Sequence, residues 1–333
     1  MASSPTGGSP RQSPIEFEQS LAGPAAYLIH SRVQMRYLDW VSSFLGHKNP
    51  RTHKVSKDDL IWLFDNTAFR NQSGAWEAEF VAAFFRKGSG KDLSDAVADL
   101  AEKIGVGKGD KAEDTIAERL RPFADVIEPA MTVDVRIGQA GELCLGPSGP
   151  SGISSDMHKL PGSGYVDGKA VHPMAILRKN DHRQVKMTTH IAEPDGWAVV
   201  SDIDDTIKIT MTADGLGIIK STFADDPKPV PGMPDLYKLI DSALSPTWFY
   251  LSASPYNLYP FLHDFRDKYY PSGTIILRDL SWMNIGGLIS SLTVNTQEYK
   301  EARLEKIHGW LPKRKCLMIG DSTQKDPEAY ATL

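Results

Sequence analysis

Cysteine is scarce in this chain of 333 residues: Cys144 and Cys316 are its only two, and they stand far apart. A disulfide framework is therefore not expected, and the chain reads as cytoplasmic. A structural zinc site is not expected either, because no cysteine–histidine cluster has ligand spacing. Long apolar runs are missing as well. Nothing approaches the roughly 18 residues that a membrane-spanning helix needs. The first 14 residues are rich in Ser, Gly and Pro and lack the apolar centre of a signal peptide, so they read as a disordered tail. That leaves contact with a membrane surface open. Basic charge is not in surplus, the formal net charge being −5. A nucleic-acid partner, which calls for a basic face, is not expected. No internal repeat is evident.

What remains is ordinary globular material, 41% hydrophobic and 24% charged, long enough for about two domains. Residues 15–125 read as helical. The segments 58–64, 76–85 and 94–101 carry apolar residues at helix-like spacing, with Ser94 as a cap and Gly105 as a stop. The stripe of Trp76, Phe80 and Phe84 reads as core. Residues 126–194 look like a small β-rich module. Positions 132–137 alternate apolar and polar, 171–177 and 185–191 are further strand candidates, and 146–152 is loop chemistry. That glycine-rich loop lacks the Gly-Lys-Ser/Thr of a phosphate loop. The turn at Glu193-Pro194-Asp195-Gly196 closes the module. From 195 to 333 the texture is α/β. Short apolar runs at 198–200, 248–251, 274–277 and 316–319 alternate with helices at Met233–Leu244, 258–269 and 297–310, which predicts a buried parallel sheet.

Polar groups with catalytic capability cluster at the ends of those strands, where open α/β sheets bind ligands. The first strand runs into Asp202-Ile203-Asp204-Asp205-Thr206. In extended chain Asp202 and Asp204 share a side. One carboxylate can attack phosphorus while the other protonates the leaving oxygen and then activates water. Such a pair repels itself and invites a divalent cation. A calcium loop is the competing reading, but it needs glycine where Ile207 stands and a helix where a strand precedes. Asp205 reads as a cap or a solvated residue, and Thr206 as a cap or an amide donor. The second strand ends in Leu251-Ser252-Ala253-Ser254, whose hydroxyls suit a phosphoryl oxygen. The last ends in Gly320-Asp321, with Asp326 soon after; both acids suit magnesium. Lys300 and Lys306 lie in the helix before that strand. Either can be a solvated helix residue or a point cation for a phosphorylated aspartate.

This set, in this order, resembles the haloacid-dehalogenase superfamily of phosphatases. Asp202, Asp204 and Thr206 match its first motif, Ser252 (with Ser254 as runner-up) the second, Lys300 the third, and Asp321 with Asp326 the fourth. The resemblance implies that Asp202 is the nucleophile, Asp204 the acid/base, Ser252 and Lys300 their partners, and Asp202, Asp204, Asp321 and Asp326 the Mg2+ ligands. Residues 201–208, 252–262 and 320–328, with 62–70 and 79–83 earlier, are further similar to the fungal actin-patch phosphatidate phosphatase family. That likeness implies magnesium-dependent conversion of phosphatidate to diacylglycerol and phosphate. It also implies peripheral membrane contact and association with cortical actin patches and endocytic proteins. Thr323 stands where that family has glycine. Such folds continue with a further strand and helix, so the resemblance implies a catalytic domain cut short at its C-terminal end.

The spacing of the early motifs, roughly 45 residues each, leaves no room for a large cap. The expected architecture is therefore a haloacid-dehalogenase-like α/β sheet without a large cap, preceded by a helical region and a small β-rich module. A site open in this way admits a membrane lipid, a soluble phosphomonoester or a phosphoprotein. The apolar stretch 282–289 reads as one more buried segment, with a membrane-dipping lip as the alternative.

Overall fold

The computed structural model describes residues 37–87, 94–105, 111–278, 296–322 and 326–331. The N-terminal tail, the stretch 282–289 and Thr323 lie outside them. In chain order the elements are α1 (Tyr37–Ser43), β1 (His53–Lys54), β2 (Asp59–Leu63), β3 (Asn66–Arg70), β4 (Trp76–Arg86), α2 (Ser94–Lys103) and α3 (Lys111–Ala124). Next come β5 (Val126–Ile127), β6 (Met131–Ile137), β7 (Gly141–Leu145), β8 (Ile153–Lys159), β9 (Ala170–Val171), β10 (Met174–Ala175) and β11 (Thr189–Ile191). The α/β part holds β12 (Trp197–Asp202), α4 (Gly215–Ile219), α5 (Met233–Leu244), β13 (Thr247–Pro255), α6 (Tyr259–Tyr269), β14 (Thr274–Arg278), α7 (Thr296–Trp310), β15 (Lys315–Ile319) and α8 (Asp326–Tyr330).

The helical reading of 58–64 and 76–85 is wrong: these segments are β2 and β4. The cause is a coincidence of periods. Residues four apart share a face on a helix, but they also share a face on a strand, where every second residue does. Trp76, Phe80 and Phe84 therefore fit both. Ala78 and Ala82 break the tie, because both are fully buried on that same face, with Glu77 and Glu79 on the other. The helical reading holds for α2, which buries Ala96, Val97, Leu100 and Ala101.

β4 organises the N-terminal half. One of its edges pairs antiparallel with β3 and β2, the other with β8 and β5, and β11 and β9 extend the sheet beyond β3. A second sheet of β1, β6, β10 and β7 covers it. Ile61, Ala78, Phe80 and Phe84 of the first sheet share a core with Met131, Val133, Val135 and Leu145 of the second. Area removed from water at this seam is the main stabilising term, at about 25 cal/mol per Å2 of apolar surface.

The other face of the first sheet packs on the α/β part. Phe85 meets Tyr256 at 5.7 Å between ring centroids, and Phe64 meets Tyr259 at 4.1 Å. Ala83 and Phe85 share a core with α2, α3, α5 and α6. This is why β4 loses its polar alternation at its end: both faces are buried there.

The α/β part is a parallel sheet in the order β14-β13-β12-β15. Its strands are apolar on both faces because helices cover both. Val199, Trp248 and Tyr250 face α5 and α6, whereas Ala198, Val200, Phe249 and Leu251 face Leu304 and Ile307 of α7 and Leu311 just after it. After β12 the chain passes to the first face, and after β15 to the second, through Ala329 of α8. The strand ends of β12 and β15 thus flank a switch point, the place where such sheets open a crevice.

Candidate active site

β12 carries Asp202 as its last residue, 1% exposed. A tight turn follows, in which the amides of Ile207 and Lys208 both donate to the Ile203 carbonyl at 3.0 Å. This turn folds Asp204, Thr206 and Thr210 back over the strand end. Asp205 sits at φ +60° and closes the loop: its carboxylate accepts the amides of Thr210, Met211 and Thr212 at 2.7–2.8 Å. Asp205 therefore closes a loop, and is neither the helix cap nor the solvated residue expected from the sequence.

Asp202 has an ion-pair partner at one oxygen and a hydrogen-bond donor at the other. Lys300 Nζ lies 2.7 Å from Oδ1, and Thr206 Oγ1 donates to Oδ2 at 3.0 Å. Lys300 also bonds Asp326 Oδ1. Lys300 is fully buried, and Asp326 is 1% exposed. The two lysines of α7 differ in where their ammonium groups lie. Lys300 reaches Asp202, while Lys306 leaves the site and pairs with Glu79 of β4 at 2.5 Å.

Asp204 is held by hydroxyls. Ser252 Oγ donates to Oδ2 at 2.6 Å and Thr210 Oγ1 donates to Oδ1 at 2.9 Å. Ser252 itself accepts the amide of Ser254 at 3.0 Å. Ser254 Oγ stands 3.5 Å from the same Asp204 oxygen. Both serines are buried, and Ser252 is committed to Asp204 in this arrangement.

The fourth cluster joins from β15. Gly320 lets α8 approach closely: a Cβ there would stand 2.3 Å from Asp326 Oδ2 and 2.8 Å from Asp326 Cβ. Asp326 starts α8, as its place before Pro327 suggests, and also reaches Lys300. Asp321, half-buried, stands beside Asp326 and contributes to its electrostatics.

Negative charge is concentrated here. Burial, first, and then the carboxylates of Asp326 and Asp204 push Asp202 well above the ordinary carboxylate range, against the pull of Lys300. Asp326 is raised by burial in the same way, also against Lys300. Asp326 Oδ2 is buried with no well-aligned donor among the described residues, and the Asp321 backbone amide lies against the same carboxylate. A hard cation fits these oxygens in charge and donor type. Among the described residues no three carboxylates close into a ligand cage.

Residues 197–333 match the family described as the catalytic domain of phosphatidate phosphatase APP1. The chain is 32% identical over 142 residues to the phosphatidate phosphatase APP1 of Saccharomyces cerevisiae, a stretch covering 42% of this chain and 24% of that protein. It is 26% identical over 148 residues to an uncharacterised protein of Schizosaccharomyces pombe, covering 43% of this chain and 24% of that one. The similarity thus spans about a quarter of each relative's length.

Two features escaped the sequence reading. Lys208 is 1% exposed and donates to Thr210 Oγ1 at 2.7 Å, immediately behind Asp204. The second is the use made of 62–70. Asp65, 4% exposed, accepts from Arg266 at 2.9 Å, from the Thr188 amide at 2.7 Å and meets His263 at 3.1 Å, while its own amide donates to Tyr259 Oη at 2.8 Å. The Thr67 and Thr274 hydroxyls are 2.7 Å apart, and Phe69 stacks on Trp310 at 5.6 Å. This stretch is the joint between the β-rich half and the α/β part. No spacing within it signals partners some 200 residues away.

Proposed function

We propose that this protein is a magnesium-dependent phosphatidate phosphatase with a haloacid-dehalogenase-like catalytic arrangement. The observation that carries the reading is the pairing of Asp202 with buried Lys300 at a strand end, beside a second carboxylate held by two hydroxyls. It joins the likeness of 197–333 to a phosphatidate phosphatase catalytic domain.

In this proposal an Asp202 oxygen attacks phosphorus and the bond to the diacylglycerol oxygen breaks. Asp204 gives that oxygen its proton. Asp204 then takes a proton from water, which attacks the aspartyl-phosphate and frees inorganic phosphate. Lys300 holds charge at Asp202 throughout. Ser252, on releasing Asp204, or Ser254 beside it, would donate to a phosphoryl oxygen once the substrate enters. Asp202, Asp204, Asp321 and Asp326 would hold Mg2+, which supplies neutralisation of phosphate charge. The buried Asp326 Oδ2 supports that donor set.

Substrate access is consistent with a lipid. Between β12 and β13 the chain holds only α4, the helical turn at 220–224 and α5. Among the described residues no helix is long and apolar enough to cross a membrane, so a lipid substrate would be met at the surface. The association with cortical actin patches and endocytic proteins belongs to this proposal, and localisation of the tagged chain tests it.

The activity test compares phosphate release from phosphatidate in mixed micelles with release from soluble esters, each with magnesium and with chelator. Magnesium-dependent release that favours phosphatidate supports the proposal. Faster release from soluble esters would reassign the substrate, and no release from any ester would favour a non-catalytic role.

A further inference from the structure

The Asp204 carboxylate is aimed by a chain of donors that begins at a buried lysine. An ammonium can only donate. Lys208 Nζ lies 2.7 Å from Thr210 Oγ1, so that oxygen accepts, and its own proton must point elsewhere. Asp204 Oδ1 is 2.9 Å away, whereas the other acceptor near it among the described residues, the Lys208 carbonyl, is at 3.4 Å. The proton therefore goes to Asp204. The same polarity operates on the other side. The Ser254 amide donates to Ser252 Oγ at 3.0 Å, which directs the Ser252 proton to Asp204 Oδ2 at 2.6 Å. Each carboxylate oxygen thus receives one hydroxyl whose direction is set from behind.

The backbone around Lys208 holds this arrangement in place. Its carbonyl accepts the Asp205 amide at 2.8 Å and its amide donates to the Ile203 carbonyl at 3.0 Å. Strand-like bonds join the segment to 228–230: Ile209 N to Lys228 O and Val230 N to Ile207 O, each at 3.0 Å. Phe261 covers the ammonium at 5.7 Å from its ring centroid. Burying an ammonium is expensive, and here its hydrogen bond goes to a neutral hydroxyl while the Asp204 and Asp205 carboxylates act on it through space. A fold that needed only packing here would use an apolar side chain of the same length.

We propose that Lys208 and Thr210 are positioning residues. They fix the plane of the Asp204 carboxylate, and with it the delivery of a proton to the leaving oxygen. The mechanistic part rests on the phosphatase reading above; the geometric part does not.

Two measurements test it, on the full chain. Crystal structures of Thr210→Val and Thr210→Ser are compared with wild type. Asp204 turns away from its wild-type rotamer in the valine variant and keeps it in the serine variant; an unmoved Asp204 in the valine variant overturns the proposal. The second readout is kcat/KM, which covers steps up to departure of the leaving group. Alkyl oxygen needs a proton to leave and p-nitrophenolate hardly does. Thr210→Val should lower kcat/KM for phosphatidate about 30-fold, less than the roughly 10²–10⁴ that a general acid supplies, and for p-nitrophenyl phosphate less than about threefold. Thr210→Ser should restore both, and Lys208→Met should follow the valine pattern. Equal losses on the two esters would mean a merely structural role and overturn it. Inactivity of wild type on every ester would refute the phosphatase reading, and the crystallographic comparison would still decide whether Thr210 positions Asp204.

Discussion

Replacing Asp65 by alanine should destabilise the protein by about 3 kcal/mol, the lower end of what breaking a buried ion pair costs. Arg266, 2% exposed, would keep among the described residues Asp267 and the Gly273 carbonyl as its partners. The pH dependence gives a second estimate. Burial alone would raise Asp65, but His263, Arg266 and the Thr188 amide together hold it at about 2 instead of 3.8. A depression of this size favours the ionised folded form by roughly 2.5 kcal/mol. Since the folded value is the lower one, that stability is present above about pH 4 and is lost as pH falls towards 2. His263 has the opposite sign. Its bond to Asp65 raises it, against burial, and Asp264 and Asp267 also face it, at 3.8 and 3.6 Å. Its contribution is present below its unfolded value, about 6.5, and fades as pH rises through the higher folded one. Urea unfolding of wild type, Asp65→Ala and Asp65→Asn from pH 2.5 to 8 measures all of this. The asparagine variant should lose the Asp65 share of the slope between pH 4 and 2.5, while Asp181, Asp205 and Glu193, also held low, keep theirs. A loss under about 1 kcal/mol for the alanine variant, or unchanged acid slopes for the asparagine one, would refute the clamp.

Two substitutions separate site from scaffold. Lys300→Met should reduce kcat at least about 10²-fold, whereas Lys306→Met should leave kcat within about twofold and cost at most about 1 kcal/mol, because its pair with Glu79 is partly exposed. Steady-state kinetics and thermal melts of both variants check this. Gly320→Ala should push Asp326 off Lys300, since the added carbon would meet its carboxylate and Cβ too closely to shift only a flexible tip. A loss of activity without a matching loss in thermal stability is expected, and a fully active variant would contradict the assigned geometry.

The carboxylates, the serines and the lysine of the site were legible because each sits at or near the end of an apolar strand or in the helix between two of them. Strand ends can be read from local runs such as 198–202 and 316–320. The helical reading of 76–85 failed because Trp76, Phe80 and Phe84 satisfy two periods at once. It should have been decided by Ala78 and Ala82, and by an aromatic, β-forming composition. Asp65 and Lys208 were illegible for different reasons. Asp65 gains its partners only when residues near 188, 263 and 266 fold against it, and no sequence period records that. Lys208 looks like any lysine after an acidic turn. Its burial comes from the 228–230 segment folding back and from Phe261, both tertiary effects.

The most direct test is phosphate release from phosphatidate in mixed micelles with magnesium, comparing wild type with Asp202→Asn. If Asp202 is the nucleophile, wild type releases phosphate and the folded asparagine variant retains less than about one part in 10³ of that rate. Equal release by the two proteins would contradict the assignment of the strand-end carboxylate.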